Sequence, residues 1–434
     1  MPRPRPLALL VAACMLLAAC TGGETSPSAS SDGAGGSPDS SAGASESVAA
    51  PSGDPILLGL IDMFSGANAQ IGTDTLQGAQ VAGDQINAAG GVLGRPLEIV
   101  QEDEAPDSAA AVNALRSLNS DGIQFVLGFT SSADALAAIP IAEQIDTIIV
   151  GSHPATTALT TTEASPNFIR ISASDAMATK AIAAFANENF PEISKWNVFG
   201  FDYITGHDQW DSFVTNLTEL NPDFEKGQEV FFPFDAVGTL QPYITSMLNG
   251  LPEDSAENEG LYMATFGAGT FNLIQQGAPY DLFEQFNVVG VVAGGGFLHQ
   301  AQELGADTPE MYSQYDYYYE AYDTPMNEAY VADYQEAWDT VPGSWATQGY
   351  MSVLAYAAAI EKAGNTDFAD VLAAFDDLTF EAPQGEVTIR AEDHQASVNV
   401  VMRHFVPDPD AEEGFDVVDF EVFEAADILP EPAN

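Results

Sequence analysis

The sequence predicts an α/β protein built on parallel sheets, and three features carry that expectation. Apolar runs of strand length alternate with stretches of helical periodicity. Two of these runs stop at glycine, with serine or threonine close behind, as a strand does when it feeds a helix N-terminus. The chain has 434 residues, enough for two domains that each bury their own core.

Pro55–Ile61 reads as the first strand, followed by the loop Asp62-Met63-Phe64-Ser65-Gly66 and a helix from about Thr73. Leu76, Ala79, Val81, Ala82 and Ile86 supply the helix's apolar face. Asn87-Ala88-Ala89-Gly90-Gly91 closes it with a glycine cap, and Pro96–Val100 makes the next strand. Ala109–Leu118 is helical, Ile123–Leu127 a strand, Ala133–Gln144 helical and Thr147–Val150 a strand, which is the rhythm of βαβ units. Strands at Trp196–Gly200, Glu229–Phe232, Gly260–Ala264 and Val288–Val292 continue the alternation. Asn327–Trp338 and Thr347–Lys362 read as helices, and Val398–Met402 and Phe415–Phe423 as strands. Tyr330, Tyr334 and Trp338, at four-residue spacing, form a core face. The run Tyr312–Tyr322, YSQYDYYYEAY, either lines a cleft mouth or packs half-buried with its hydroxyls in water.

Candidate binding chemistry concentrates between Gly128 and Thr160. The strand ending at Gly128 precedes Ser131-Ser132, and the strand ending at Val150 runs into Gly151-Ser152-His153-Pro154-Ala155-Thr156-Thr157. Neighbouring parallel strands bring these hydroxyl clusters together beyond the carboxyl ends of the sheet, where helix N-termini favour an anion such as a small carboxylate. The same serines also fit ordinary helix caps, and the threonines an ordinary turn.

The N-terminus carries Arg3 and Arg5, an apolar run from Leu7 to Ala19 and the tetrapeptide Leu17-Ala18-Ala19-Cys20. This pattern predicts a bacterial lipoprotein signal over residues 1–20, with Cys20 acylated after cleavage and the protein held on the outer face of the cell membrane. Residues 21–53, rich in Ser, Gly, Ala and Pro, predict a disordered tether. Cys14 lies within the signal, so no disulfide is expected in the mature chain.

Eleven basic residues against 64 acidic ones give a net charge of −53, and loss of Arg3 and Arg5 with the signal makes it −55. Such a chain repels nucleic acid. Its dispersed carboxylates suit salty surroundings. The five histidines are too scattered to suggest a metal cluster, and there is no Gly-x-Ser-x-Gly elbow, zinc helix or complete Walker loop. The expectation is a binding protein without enzymatic activity or cofactor.

Phe64-Ser65-Gly66, Ile86–Arg95 (INAAGGVLGR), the Gly128–Ser132 loop, Pro383–Val387 (PQGEV) and Asp393–Ala396 (DHQA) occur in an order that resembles the leucine/isoleucine/valine-type solute-binding proteins of ABC importers. The resemblance implies the type I periplasmic-binding fold: two Rossmann-like lobes with parallel-sheet cores, joined by three crossing hinge segments. Phe168–Ile171 would be the first crossing. Lobe one would comprise residues 54–172 and 314–380, and lobe two residues 173–313 and 381–428.

The family's carboxylate-binding serine aligns with Ser132 or its neighbour Ser131. The adjoining loop, where a carbonyl and a threonine meet the ligand's polar head, aligns with Ala155 and Thr157, with Thr156 as the other candidate. Tyr203 lies close to Thr205-Gly206, which stands where relatives have Tyr-Gly, and Phe266 matches an aromatic that covers the ligand. Ile71 occupies a position that is often aromatic. The region of the acid that pairs with an α-ammonium reads Ala293-Gly294-Gly295-Gly296-Phe297, with Gly295 at its centre and no carboxylate. Asp202, Asp316 or Glu320 are substitutes from elsewhere in the chain.

The resemblance therefore implies a monomeric, membrane-tethered lipoprotein that captures a small polar solute, an amino acid or a related compound, and presents it to an ABC permease. An amide, a urea-like compound or a carboxylate without an α-amine fits the missing acid. A ligand sensor acting on a signalling partner is the other functional class.

Overall fold

The computed structural model describes residues 50–105, 108–234, 236, 238–291, 304, 308–408, 410 and 415–432. Cys20, the signal, most of the tether and Gly295 lie outside the described residues.

The first half of the fold is laid down by β1 (Ile56–Asp62), α1 (Ala69–Ala88), β2 (Leu97–Asp103), α2 (Ser108–Ser120), β3 (Phe125–Gly128), α3 (Ser132–Gln144), β4 (Ile148–Gly151) and β5 (Phe168–Arg170). The strands form one parallel sheet in the order β2-β1-β3-β4-β5. The inner strands β1, β3 and β4 are largely apolar because both faces are covered. Leu58, Leu60, Leu127 and Val150 face one core, and Ile61, Val126 and Ile149 face the other, beneath α2 and α3.

The second half follows the same plan. It runs through α4 (Asp175–Asn189), β6 (Lys195–Phe201), α5 (Ile204–Leu220), β7 (Glu225–Phe232), α6 (Gln241–Gly250), α7 (Ser255–Asn258), β8 (Glu259–Ala264), α8 (Ala268–Gly277), β9 (Val288–Val291) and β10 (Met311–Tyr315). Strands β7-β6-β8-β9-β10 are mutually parallel, and two antiparallel strands, β13 (Val400–Pro407) and β14 (Phe415–Phe423), extend the sheet at the β10 edge. Between β10 and β13 come α9 (Pro325–Trp338), α10 (Ser344–Ala363), α11 (Phe368–Ala374) and the hairpin β11 (Leu378–Ala382) to β12 (Gly385–Ile389), all packed into the core of the first sheet. The chain thus passes between the sheets three times: after β5, after β10 and after β12. The hairpin spans position 380.

Sequence reasoning placed the first helix from about Thr73, one turn later than Ala69, and did not identify β10 as a strand. Half of the run's six tyrosines are core: Tyr315, Tyr317 and Tyr318 are buried, Tyr312, Tyr319 and Tyr322 are half-buried, and Gln314 and Asp316, on either side of Tyr315, line the interior between the sheets. Tyr330 and Tyr334 are fully buried, but Trp338 is about one-third exposed (37%) where α9 ends.

Each sheet has the strand order of a doubly wound fold, with a switch point between β1 and β3 in one and between β6 and β8 in the other. Loops diverge at such a point and leave a crevice beyond the strand ends. Gly128 shows why the sequence is strict there: it has φ +109°, and a Cβ would stand 2.2 Å from the carbonyl oxygen of Ile61. Helices α1 and α10 touch through their backbones, since a Cβ on Gly78 would overlap the Ala346 carbonyl and one on Gly349 would meet the Thr75 carbonyl at 2.2 Å.

Candidate functional site: a cavity between the two sheets

The two crevices face each other and enclose a cavity with an empty volume of about 670 Å³, mouth included. From the first half come Ile71, Thr130, Ser132, His153 and Ala155, and from the second Asp175, Tyr203, Thr205, Gln209 and Phe266. Gln314 and Asp316 enter from the second crossing, and Trp345 and Gln348 from the start of α10.

Ser131 is the N-cap of α3, its hydroxyl accepting from the Asp134 amide at 3.3 Å. The next residue, Ser132, points inward. Its Oγ accepts from the amides of Ala155 and Thr156, both at 3.2 Å, and from the Thr205 hydroxyl at 3.1 Å. Tyr203 crosses the cleft too: its phenol oxygen accepts from the Ala133 amide at 2.9 Å and lies 3.1 Å from Ser131 Oγ. Asn68 accepts from the Ala268 amide at 3.1 Å on the opposite rim. These bonds hold the cleft closed.

Among the residues expected at the site, Ser132, Ala155, Tyr203 and Phe266 line the cavity. Thr156 is buried beside it and gives its hydroxyl to Asp208. Thr157 opens a short helical turn, and its hydroxyl is buried without a partner among the described residues. Of the candidate acids, Asp316 is at the cavity, whereas Asp202 is exposed against His207 and Glu320 accepts from Tyr318.

Behind α3 lies a web of buried acids. Glu104 accepts from the amides of Thr130 at 2.8 Å and Ser131 at 2.9 Å. Burial, together with the charges of Asp62 and Asp134, pushes its carboxyl well above the usual range. Burial alone would raise Asp62 as well, but His153 beside it, with hydrogen bonds from Thr130 and the Met63 amide, holds it low. His153 Nε2 lies 3.3 Å from Asp62 Oδ2 and 2.7 Å from Thr75 Oγ1, and its other nitrogen meets Gln348, which donates to Asp316.

Sequence reasoning missed Asp175, Gln209, Trp345 and Gln348. Asp175 is the first residue of α4, capped by Ser174, and its amide donates to Ala155 O at 2.7 Å. Gln209 Nε2 donates to Asp175 Oδ1 at 3.0 Å, leaving Asp175 Oδ2 and Gln209 Oε1 buried without partners among the described residues. Burial pushes Asp175 up to about 8 and also raises Asp316. The nearby Arg170 is fully buried and spends its terminal nitrogens on the carbonyls of Ala155 at 3.1 Å and Thr156 at 2.6 Å. The Ser174-Asp175 pair before an alanine-rich run was a readable cap signal, but nothing local says that it faces a cleft.

A family model described as a periplasmic binding protein matches residues 55–406. The chain belongs to the periplasmic binding protein family. A leucine-, isoleucine-, valine-, threonine- and alanine-binding protein of Pseudomonas aeruginosa is 25% identical over 353 residues, covering 79% of this chain and 87% of that one. The Leu/Ile/Val-binding protein BraC3 of Rhizobium johnstonii is 30% identical over 139 residues, but the match spans only 32% of this chain and 37% of the relative. Among solved structures, the leucine binding protein LivK of Thermotoga maritima superposes with a TM-score of 0.72 at 21% identity, covering 86% of this chain and 99% of that one. A solute binding protein of Rhodopseudomonas palustris, in complex with 3,4-dihydroxy benzoic acid, gives a TM-score of 0.73 at 21% identity, covering 86% and 98%. This periplasmic binding protein therefore has the type I fold, and its relatives are solute-binding proteins rather than enzymes.

Proposed function

We propose that this protein captures a small polar solute, an amino acid or a related compound, in the cavity between its two sheets and delivers it to the permease of an ABC importer. The carrying observation is the cavity itself: polar side chains from both halves converge there, and Tyr203 and Thr205 bond across the cleft to Ala133 and Ser132. A solute that touches both halves favours the closed population by its differential affinity for it.

In this reading residues 54–172 and 314–380 act as one lobe and 173–313 and 381–428 as the other, with the crossing segments as hinges. The monomer hangs from the outer face of the cell membrane by an acyl group on Cys20, with residues 21–53 as its tether. Ser132, Ala155, Tyr203 and Phe266 contact the solute, and Ser131, Thr156 and Thr157 support them. The names of the relatives, which include amino acid binders and a protein in complex with an aromatic acid, support a small organic solute.

A thermal-shift screen of amino acids, amines, amides and small carboxylates tests the reading, because a ligand of the native state alone raises apparent stability. At least one class should shift the melting transition in the wild type and shift it less in Ser132→Ala. No shift from any class would contradict solute capture.

A further inference from the structure

The cavity's unpaired hydrogen-bonding capacity is one-sided. With Asp175 ionised, its Oδ2 and Gln209 Oε1 are both acceptors, both belong to residues no more than 3% exposed, and neither has a partner among the described residues. Asp316, the second lining carboxylate, receives hydrogen bonds from Gln314, the Ala173 amide and Gln348, all neutral donors. No lysine or arginine lines the cavity among the described residues. Arg170, the nearest guanidinium, is turned to carbonyl oxygens behind the loop.

The opposite pole, where a helix N-terminus favours an anion, is already occupied by the chain. The amides of Thr130 and Ser131 donate to Glu104, that of Ala133 to Tyr203, that of Asp134 to Ser131, and those of Ala155 and Thr156 to Ser132. Glu104 is an internal carboxylate at the place a ligand's carboxylate would seek.

Resting on the reading of the cavity as the solute site, we propose that the solute is an organic cation, a protonated amine or amidine on a small apolar body, whose charged head is held at the hinge by Asp175, Gln209 and Asp316 and which needs no carboxylate. The head's N–H groups supply what Asp175 Oδ2 and Gln209 Oε1 lack, and its charge offsets two carboxylates whose hydrogen-bond donors are all neutral. Ile71, Phe266 and Trp345 surround the body. This places the cation on α4, α5 and the second crossing, whereas the Ala293–Phe297 segment suggested by resemblance has no acid.

Proton linkage follows. The titratable and charged groups facing Asp175 are Asp208 on α5, Arg170 at the end of β5, Tyr262 on β8 and Asp316 after β10, and His153 faces Asp316 in turn. Burial, the largest influence, keeps the proton on Asp175 up to a value of about 8. A cation that binds the ionised form must expel that proton below this value, so affinity rises with pH until about 8 and then levels.

The test uses the full mature protein and matched probes: 3-methylbutylamine, leucine, 4-methylpentanoate and 4-methylpentanamide, with a second series on a phenylethyl body. The amines should bind by calorimetry, and the acids and amides should bind about tenfold more weakly or not at all. Amine affinity should increase from pH 6 to 8, a wild-type measurement that needs no variant. Asp175→Asn should weaken amine binding about tenfold or more and flatten the pH profile. An acid or amide that binds as tightly as its amine overturns the cation assignment and leaves solute capture standing. Amine affinity that is unchanged in Asp175→Asn, or independent of pH in the wild type, also overturns it. Silence of every probe counts against both.

Discussion

The phenol oxygen of Tyr203 lies 2.9 Å from the backbone nitrogen of Ala133, so a residue at the N-terminus of α5 caps α3 across the cleft. Tyr203 also lines the cavity and packs against Phe234 with ring centroids 5.4 Å apart. A variant there therefore tests closure and the proposed solute contact together. Tyr203→Phe keeps the ring and removes both polar contacts with α3. The expected cost is about 1 kcal/mol in the closed state, read as a roughly fivefold weaker solute affinity with a nearly unchanged melting temperature of the free protein.

Ser132 does different work. Its oxygen is the common acceptor for two amides of the loop after β4 and for Thr205. Alanine there leaves the Ala155 and Thr156 amides without that acceptor. Ser132→Ala should destabilise the free protein by about 1–3 kcal/mol and weaken the solute as well. Denaturant unfolding separates it from Tyr203→Phe, whose stability should stay close to wild type.

The ligand-free protein should show the buried acids in its stability. Asp175 has a folded value of about 8 against an ordinary 3.8, so the folded state keeps a proton that the unfolded chain releases. Its contribution is complete below about pH 4 and is lost as pH rises toward 8. Glu104, also raised, acts in the same direction above its ordinary 4.5. The lowered Asp62 acts oppositely and stabilises until the solution becomes acidic. Asp175→Asn should therefore match the wild type near pH 4 and melt several degrees higher at pH 8, a comparison that scanning calorimetry makes directly.

The contact between α1 and α10 leaves no room for a methyl group. Gly349→Ala forces the helices apart at the Thr75 carbonyl and should cost about 1–3 kcal/mol, measured by thermal unfolding. Because Thr75, Trp345 and Gln348 sit beside this contact, the variant should also weaken the solute.

The sequence was most legible where structure is local. Apolar runs such as Ile123–Leu127 and Thr147–Val150, each covered on two faces, announced parallel strands, and Ser131 next to an alanine-rich segment announced a cap. The hydroxyl loops after β3 and β4 were legible as neighbours for the same reason. The anion they suggested was not resolved by local signals, because the amides there are consumed by Glu104, Ser132 and Tyr203, the first far off in sequence and the last from the other sheet. Asp175 reads locally as an ordinary first-turn acid, and only the crossing after β5 turns it toward Gln209 and the cavity. Asp316 lay hidden in a tyrosine run whose rings go to the cores while it faces the cleft.

The most direct test of solute capture is a crystal structure of the protein with whichever probe gives the largest thermal shift. Density for the probe should stand between the sheets, in contact with Tyr203 and Phe266 and within hydrogen-bond reach of Asp175 and Gln209. Density bound elsewhere, with the cavity between the sheets unfilled, would contradict the account.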